Sequence, residues 1–426
     1  MRFVTSSSDV ALGRAFDVFR ELIPEKCWVR RVANINSEAR GNPFLREMLR
    51  EENEIAIALN EASQARKSGS LFPFDISTSG GYAAATLVFH VSMLLPSLSI
   101  TGKQRLRRRI EGAIANSPED ICALCHEFAL ATHFTKRQWS VSLPELEGSG
   151  PGDVLAVSPS GLSAVVECKY MTPDKGRKVP RRSALVLHHL LEKATERLIS
   201  NLDGGLLIQL RPADRLPSEF FRLKHIAKCV PAAVLGLKTM QVEGTSVTVK
   251  QFDVANSPFS QLPLSRVDVE EFVQLQTGLR NKEWMIRKSA SGGVFVVQIA
   301  SYEGNNLRDA LLDTLRDSAR RQLAGVENSL LCVKVGGLTG AELTNLARDA
   351  EGASASPNTL QLLATDFFNS QSHVHIAGVT FMADNEVRSA GGVTHQGGTA
   401  YSFWRLKEHV PAELRSCFTS LESVAN

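Results

Sequence analysis

Three residues in one short stretch have the types and spacing for hydrolytic chemistry: Asp153, Glu167 and Lys169. Asp153 opens the run Asp153-Val-Leu-Ala-Val157, a Ser-Pro-Ser-Gly turn follows, and Ser163-Ala-Val-Val-Glu167-Cys-Lys169-Tyr170 comes next. Two apolar runs separated by turn residues predict a β-hairpin. Glu167 and Lys169 sit two apart on its second strand, so alternation sends both side chains to one face. Charged groups beside Val165-Val166 are costly to bury unless they serve a purpose. Two carboxylates and an ammonium meeting at one point would bind a hard divalent cation and position a water; the alternative is a structural salt bridge on a sheet face.

The elements that must position these groups begin upstream. Ser117-Pro118-Glu119-Asp120 combines a capping serine, proline at the first helical position and acids in the first turn. The predicted helix runs through Ile121 to Phe134. On it Glu127 lies a turn from Ala123, Leu124, Leu130 and Ala131, a spacing that turns the carboxylate inward rather than to solvent. Downstream, a helix is expected over about 185–202, with Gly204-Gly205 ending it, then a buried-type strand at Leu206–Leu210. A second helix over about 217–228 and a strand over 232–237 complete an α/β plan with a mixed sheet.

This arrangement resembles the PD-(D/E)XK nuclease superfamily over about residues 117–240. The residues that carry the likeness are Pro151-Gly152-Asp153, with one glycine between the proline and the acid, and Glu167-Cys168-Lys169. The resemblance implies a restriction-endonuclease-like core and a Mg²⁺-dependent (or Mn²⁺-dependent) deoxyribonuclease. It implies that Asp153, Glu167 and the backbone carbonyl of Cys168 hold the metal, that Glu127 completes its surroundings or serves a second metal position, and that Lys169 orients the attacking water. The polar residue that such proteins often carry on the helix after Glu-x-Lys has no clear match here; His188, His189 and Lys193 are the candidates, with surface roles as the alternative.

Net charge is only +3, too small to establish a nucleic-acid partner, but the charge is clustered. Lys103-Gln-Arg-Leu-Arg-Arg-Arg109 is one basic run. Lys175-Gly-Arg177-Lys178-Val-Pro-Arg181-Arg182 is another, directly after the Glu-x-Lys strand. The second is expected to contact nucleic-acid phosphates through Lys175, Arg177, Lys178, Arg181 and Arg182, with a solvated loop as the alternative.

Hydrophobic content of 43% and charged content of 22% fit a globular chain long enough for two or three cores. The N-terminus has no apolar leader segment, and residues 82–96 are apolar over too short a stretch to span a bilayer, so a buried helix and a cytoplasmic protein with no membrane partner are expected. The seven scattered cysteines point to a reducing compartment. Cys122-Ala-Leu-Cys125-His126 has haem-attachment spacing but falls inside the predicted helix, where small apolar packing is the expected role.

The chain is expected to divide into a helical N-terminal domain (1–116), the nuclease-like domain (117–250), a linker (251–268) and a second α/β domain (269–426). In the N-terminal part, helices are expected over 9–22, 42–66, 82–95 and 102–115. In the last part, residues 283–300 echo the hairpin with Gln298 at the place of Glu167 and Ala300 at that of Lys169, so a degenerate copy of the core is expected, the alternative being an unrelated α/β domain. His373 and His375 alternate on an expected strand, and 389–398 is expected as a loop. The function these features point to is DNA hydrolysis, as an endonuclease in a prokaryotic defence or restriction setting, alone, as a homodimer or with a partner subunit. The alternatives are a nucleic-acid-binding module without catalysis and a scaffold.

Overall fold

The computed structural model describes residues 9–71, 73–260, 265–278, 283–301, 303–348, 359–383, 386–390, 393–397, 399–406 and 410–418. Seven helices come first: α1 (Asp9–Leu22), α2 (Lys26–Gly41), α3 (Arg46–Glu52), α4 (Glu54–Lys67), α5 (Ser79–Leu94), α6 (Ile100–Asn116) and α7 (Pro118–Lys136). Then follow β1 (Ser140–Ser142), a single turn α8 (Pro144–Glu147), β2 (Val154–Val157) and β3 (Ser163–Met171). The middle of the chain forms α9 (Arg181–Ser200), β4 (Gly205–Pro212), α10 (Phe220–Gly236), β5 (Met240–Val242), β6 (Thr245–Phe252), α11 (Arg266–Thr277), β7 (Trp284–Lys288) and β8 (Val294–Ile299). The last part holds α12 (Leu307–Arg321), β9 (Ser329–Val335), α13 (Gly340–Arg348), α14 (Thr359–Phe368), β10 (Ile376–Met382), β11 (Glu386–Ala390), β12 (Val393–Gly397), β13 (Ala400–Trp404) and α15 (Ala412–Ser416).

The class is α/β with mixed sheets, as expected, but the division of the chain is not. Two compact units form, one from Met1–Ile35, Arg50–Pro173 and Arg308–Asn426, the other from Asn36–Leu49 and Asp174–Leu307. The expected boundaries at 116, 250 and 268 do not separate them.

In the first unit the sheet order is β1-β2-β3-β9-β10-β13. β1, β2 and β3 run antiparallel as a meander; β9 is parallel to β3 and β10 parallel to β9. The strand beside β3 is therefore β9, reached through α12, while Leu206–Leu210, expected in the same α/β plan as the hairpin, pairs in the other sheet. Both segments are apolar runs suited to the middle of a sheet, and periodicity does not rank them as partners. One core joins α7 to the hairpin: Leu124, Phe128 and Ala131 pack with Val154, Ala156, Val166, Cys168, Leu330 and Cys332. The same core takes in α5, whose Leu87, Val88 and Val91 are fully buried, so the apolar stretch at 82–96 is an interior helix. Among the described residues no helix is long and apolar enough to cross a membrane.

The second unit has its own sheet, β5-β6-β4-β8-β7. The expected hairpin echo is real as a hairpin, since β7 and β8 pair antiparallel, but it pairs onward with β4, while β9 and β10 lie in the other sheet. A domain over 269–426 that copies the core is thus corrected: residues 269–307 and 308–426 belong to different units. Gln298 is buried against Gln209 of β4, with 2.8 Å between their amide nitrogen and oxygen, a cross-strand pair rather than an emptied metal site. The expected strand at 232–237 is instead the end of α10, which continues through Pro231 to a left-handed cap at Leu237; Ala232-Ala-Val-Leu are compatible with helix once the preceding turns form. The expected helix over 42–66 is broken into a 3₁₀ turn, α3 and α4. His373 precedes the strand, stacked on Phe367, and residues 386–390 and 393–397 pair as a hairpin where a loop was expected.

Candidate active site

Helix α7 starts as its sequence requires. The Ser117 hydroxyl accepts from the Asp120 amide, Pro118 takes the first turn, and Glu119 and Asp120 face the positive end of the helix. Nine residues after Pro118, Glu127 points inward, its side chain 6% exposed. A carboxylate so deep needs a partner. Arg109 of α6 supplies it, with Nη2 at 2.7 Å from Glu127 Oε1. The other guanidinium nitrogen, Nη1, lies 2.8 Å from Glu145 on α8.

Asp153 enters through Gly152, which is held at φ +76. A Cβ there would stand 2.4 Å from Val165 Cγ1 and 3.3 Å from the Val166 carbonyl, so only glycine fits this turn. The glycine between proline and acid is what brings Asp153 against β3: its amide donates to the Val166 carbonyl at 3.0 Å, and its Oδ2 accepts from the Cys168 amide at 2.7 Å. Val154 pairs with Val166, so one step further Asp153 stands opposite Glu167. The N–H and C=O of one strand residue leave on the same edge. The Cys168 carbonyl therefore points to the edge on which Asp153 lies, while its thiol is buried on the helix-facing side.

Glu167 is 2% exposed and Lys169 28%, and their charged ends lie 2.6 Å apart, as alternation along β3 predicts. Glu167 stands outside a tighter trio. The carboxylates of Glu127, Glu145 and Asp153 each offer an oxygen within 4.8 Å of the others, a grouping that could hold a cation. Glu145, 55% exposed at the rim, was not singled out from sequence. Its signal was faint: a Pro-Glu-Leu-Glu turn just before the hairpin, ordinary in composition.

The electrostatics follow from burial of like charges. Burial, with Asp153 nearby, pushes the Glu127 carboxyl up to about 8, against the pull of Arg109. Burial and Asp153 raise Glu167 to about 7, against Lys169. Asp153 is also raised by burial, although the Cys168 amide and Lys169 favour its charge. For Arg109, burial disfavours the charge, but Glu127 and Glu145 more than offset it and its pKa rises. With all four carboxyls ionised the site would carry more negative charge than Arg109 and Lys169 balance, and burial together with this excess keeps protons on Glu127 and Glu167.

The remaining predicted residues lie elsewhere. Lys175, Arg177, Lys178, Arg181 and Arg182 belong to the second unit. Lys178 is ion-paired at 2.6 Å to both Asp214 and Glu303, Arg182 to Glu38, and Arg177 to Asp174 at 3.9 Å. The Arg181 amide donates to both oxygens of Asp174. Lys175 is exposed. His188 is buried near Phe44 in that unit, pushed down to about 4 by burial, and His189 and Lys193 share its helix, so none lies in the unit of the carboxylates. Cys122 and Cys125 lie on α7 and form no disulfide, and His126 is taken by the Cys332 carbonyl at 3.0 Å. No protein-family model, curated protein or solved structure matches this chain.

Proposed function

We propose that the protein is a metal-dependent nuclease of the PD-(D/E)XK kind that hydrolyses phosphodiester bonds in DNA. One observation carries the proposal. Carboxylates from three elements, Glu127 of α7, Glu145 of α8 and the hairpin's Asp153 and Glu167, gather where β2 begins, with Lys169 beside them. The order of elements supports the family: a helix, an antiparallel meander of three strands, and then a helix leading to a strand parallel to the third. The departure is the long insertion between β3 and α12, which forms most of the second unit. A restriction or defence setting rests only on analogy with other cores carrying added domains.

The donor set is all oxygen, which suits Mg²⁺ or Mn²⁺. Glu127, Glu145 and Asp153 would hold the cation, with Glu167 and the Cys168 carbonyl adjoining. Bound there, it would polarise a phosphoryl oxygen and lower the pKa of a bound water. The chain's own residues set the geometry. The Cys168 amide fixes the Asp153 carboxylate. Glu167 fixes the Lys169 ammonium, which donates hydrogen bonds to the attacking water and to the phosphoryl oxygens as charge develops on them. Burial of Glu127 and Glu167 keeps bulk water from screening these interactions.

A second reading, a binding module without catalysis, is favoured by one observation: Arg109 already neutralises two of the carboxylates. Incubation with plasmid DNA, linear DNA and RNA in Mg²⁺, Mn²⁺ or EDTA separates the two. Cleavage of DNA that EDTA abolishes is the expected result; intact DNA in every metal overturns the nuclease proposal.

A further inference from the structure

We infer that α6, and not the basic run after β3, is the element that takes the substrate's phosphates, through Arg105 and Arg108 with Arg109 as its anchor in the site. The inference rests on the nuclease reading and names how that site meets its polyanion. Arg105, Arg108 and Arg109 are spaced three and four apart, so they share one side of the helix. Arg109 is the fixed point, bonded to Glu127 and Glu145. Arg105 lies one turn before it, exposed, with one guanidinium nitrogen 3.2 Å from the Leu146 carbonyl on α8. Arg108 is exposed and has no ion-pair partner among the described residues. Arg107 is spent on Glu111 at 2.7 Å. This side of α6 therefore borders the carboxylates and keeps two arginines for a ligand.

The chemistry fits a nucleic-acid backbone. A carboxylate-rich site repels phosphate, so an approaching strand needs cations beside it, and arginine meets phosphate in two-pronged geometry. The run at 175–182 is less suited, because Lys178 and Arg182 are already held by Asp214, Glu303 and Glu38.

The test is the salt dependence of duplex DNA binding in Ca²⁺, with full-length Arg105→Gln/Arg108→Gln and Arg177→Gln/Lys178→Gln proteins against wild type. Each lost phosphate contact flattens the slope of log K against log salt by about 0.9. The α6 double variant is expected to flatten it by about two contacts' worth, and the 177/178 variant by none. Arg108→Gln alone, at an exposed and unpaired position, is expected to remove about one contact without touching α8. An unchanged slope for Arg108→Gln and the α6 double variant, or equal flattening by the 177/178 variant, overturns the inference while leaving the nuclease reading standing. A wild type that neither binds duplex in Ca²⁺ nor cuts it in Mg²⁺ overturns both.

Discussion

The Arg109 guanidinium lies 2.7 Å from the Glu127 carboxylate, so the charge that balances the deepest acid of α7 comes from the preceding helix. The same side chain reaches Glu145, and it thereby stands in direct competition with any cation for two of the three oxygens that could hold one. Replacing Arg109 with Met should therefore tighten Mg²⁺ binding by several-fold, as read by titration calorimetry. It should also lower metal-free stability at about pH 8 by about 1–3 kcal/mol, because a buried carboxylate loses its partner. Weaker Mg²⁺ binding in the variant would mean that Arg109 orients the carboxylates instead of competing for them.

Asp153→Ala or Glu167→Ala should lower metal-dependent cleavage by about 10²-fold or more, since each removes a group aimed at the reacting centre. The fold should persist, and metal-free variants should melt no lower than metal-free wild type, because one of several mutually repelling carboxylates is gone. Glu145→Ala should cost less, as a rim carboxylate can be replaced by water. Equal cutting by wild type and Asp153→Ala would remove the site from the chemistry.

Lys169→Ala should lose most cleavage and keep Mg²⁺ binding, because an ammonium does not ligate a cation. Loss of metal binding together with activity would assign Lys169 a structural part in holding Glu167, its 2.6 Å neighbour.

Stability should depend on pH in a direction set by the raised carboxyls. Glu127 and Glu167 are lifted from 4.5 to about 8 and about 7, chiefly by burial, with Asp153 adding to the rise and Arg109 and Lys169 opposing it. The folded protein then keeps protons that the unfolded chain has already released. That stabilisation is complete below pH 4.5 and is lost as pH rises through 7 and 8. In EDTA, melting temperature should fall between about pH 5 and pH 8.5, and the gain from Mg²⁺ should grow over the same range. A Mg²⁺ gain that does not vary with pH would show that the cation meets carboxylates already ionised.

Gly152→Ala should test the turn that delivers Asp153. The left-handed backbone and the 2.4 Å approach of Val165 would cost about 1–2 kcal/mol and shift the Asp153 carboxylate. Cleavage should fall further than stability does. A variant with normal activity and lowered stability would show that Asp153 keeps its position without the glycine.

Local rules read from the chain alone determined much of the centre. The capping residues of α7, the alternation that sets Glu167 beside Lys169, the hairpin, and the inward turn of Glu127 all depend on neighbours a few residues away, and all are present. The tertiary structure alone decided what completes them. Glu145 and Arg109 join the carboxylates because α6 and α8 pack at the same end of the hairpin, a placement no periodicity encodes. Leu206–Leu210 and Leu330–Val335 are both buried apolar strands, yet of the two only the second lies against β3, and the first is central in a separate sheet. Apolar runs state that a strand will be buried; which strand it pairs with is settled by the long-range fit of whole faces, and that fit placed Asp174–Leu307 with Asn36–Leu49 in a second unit.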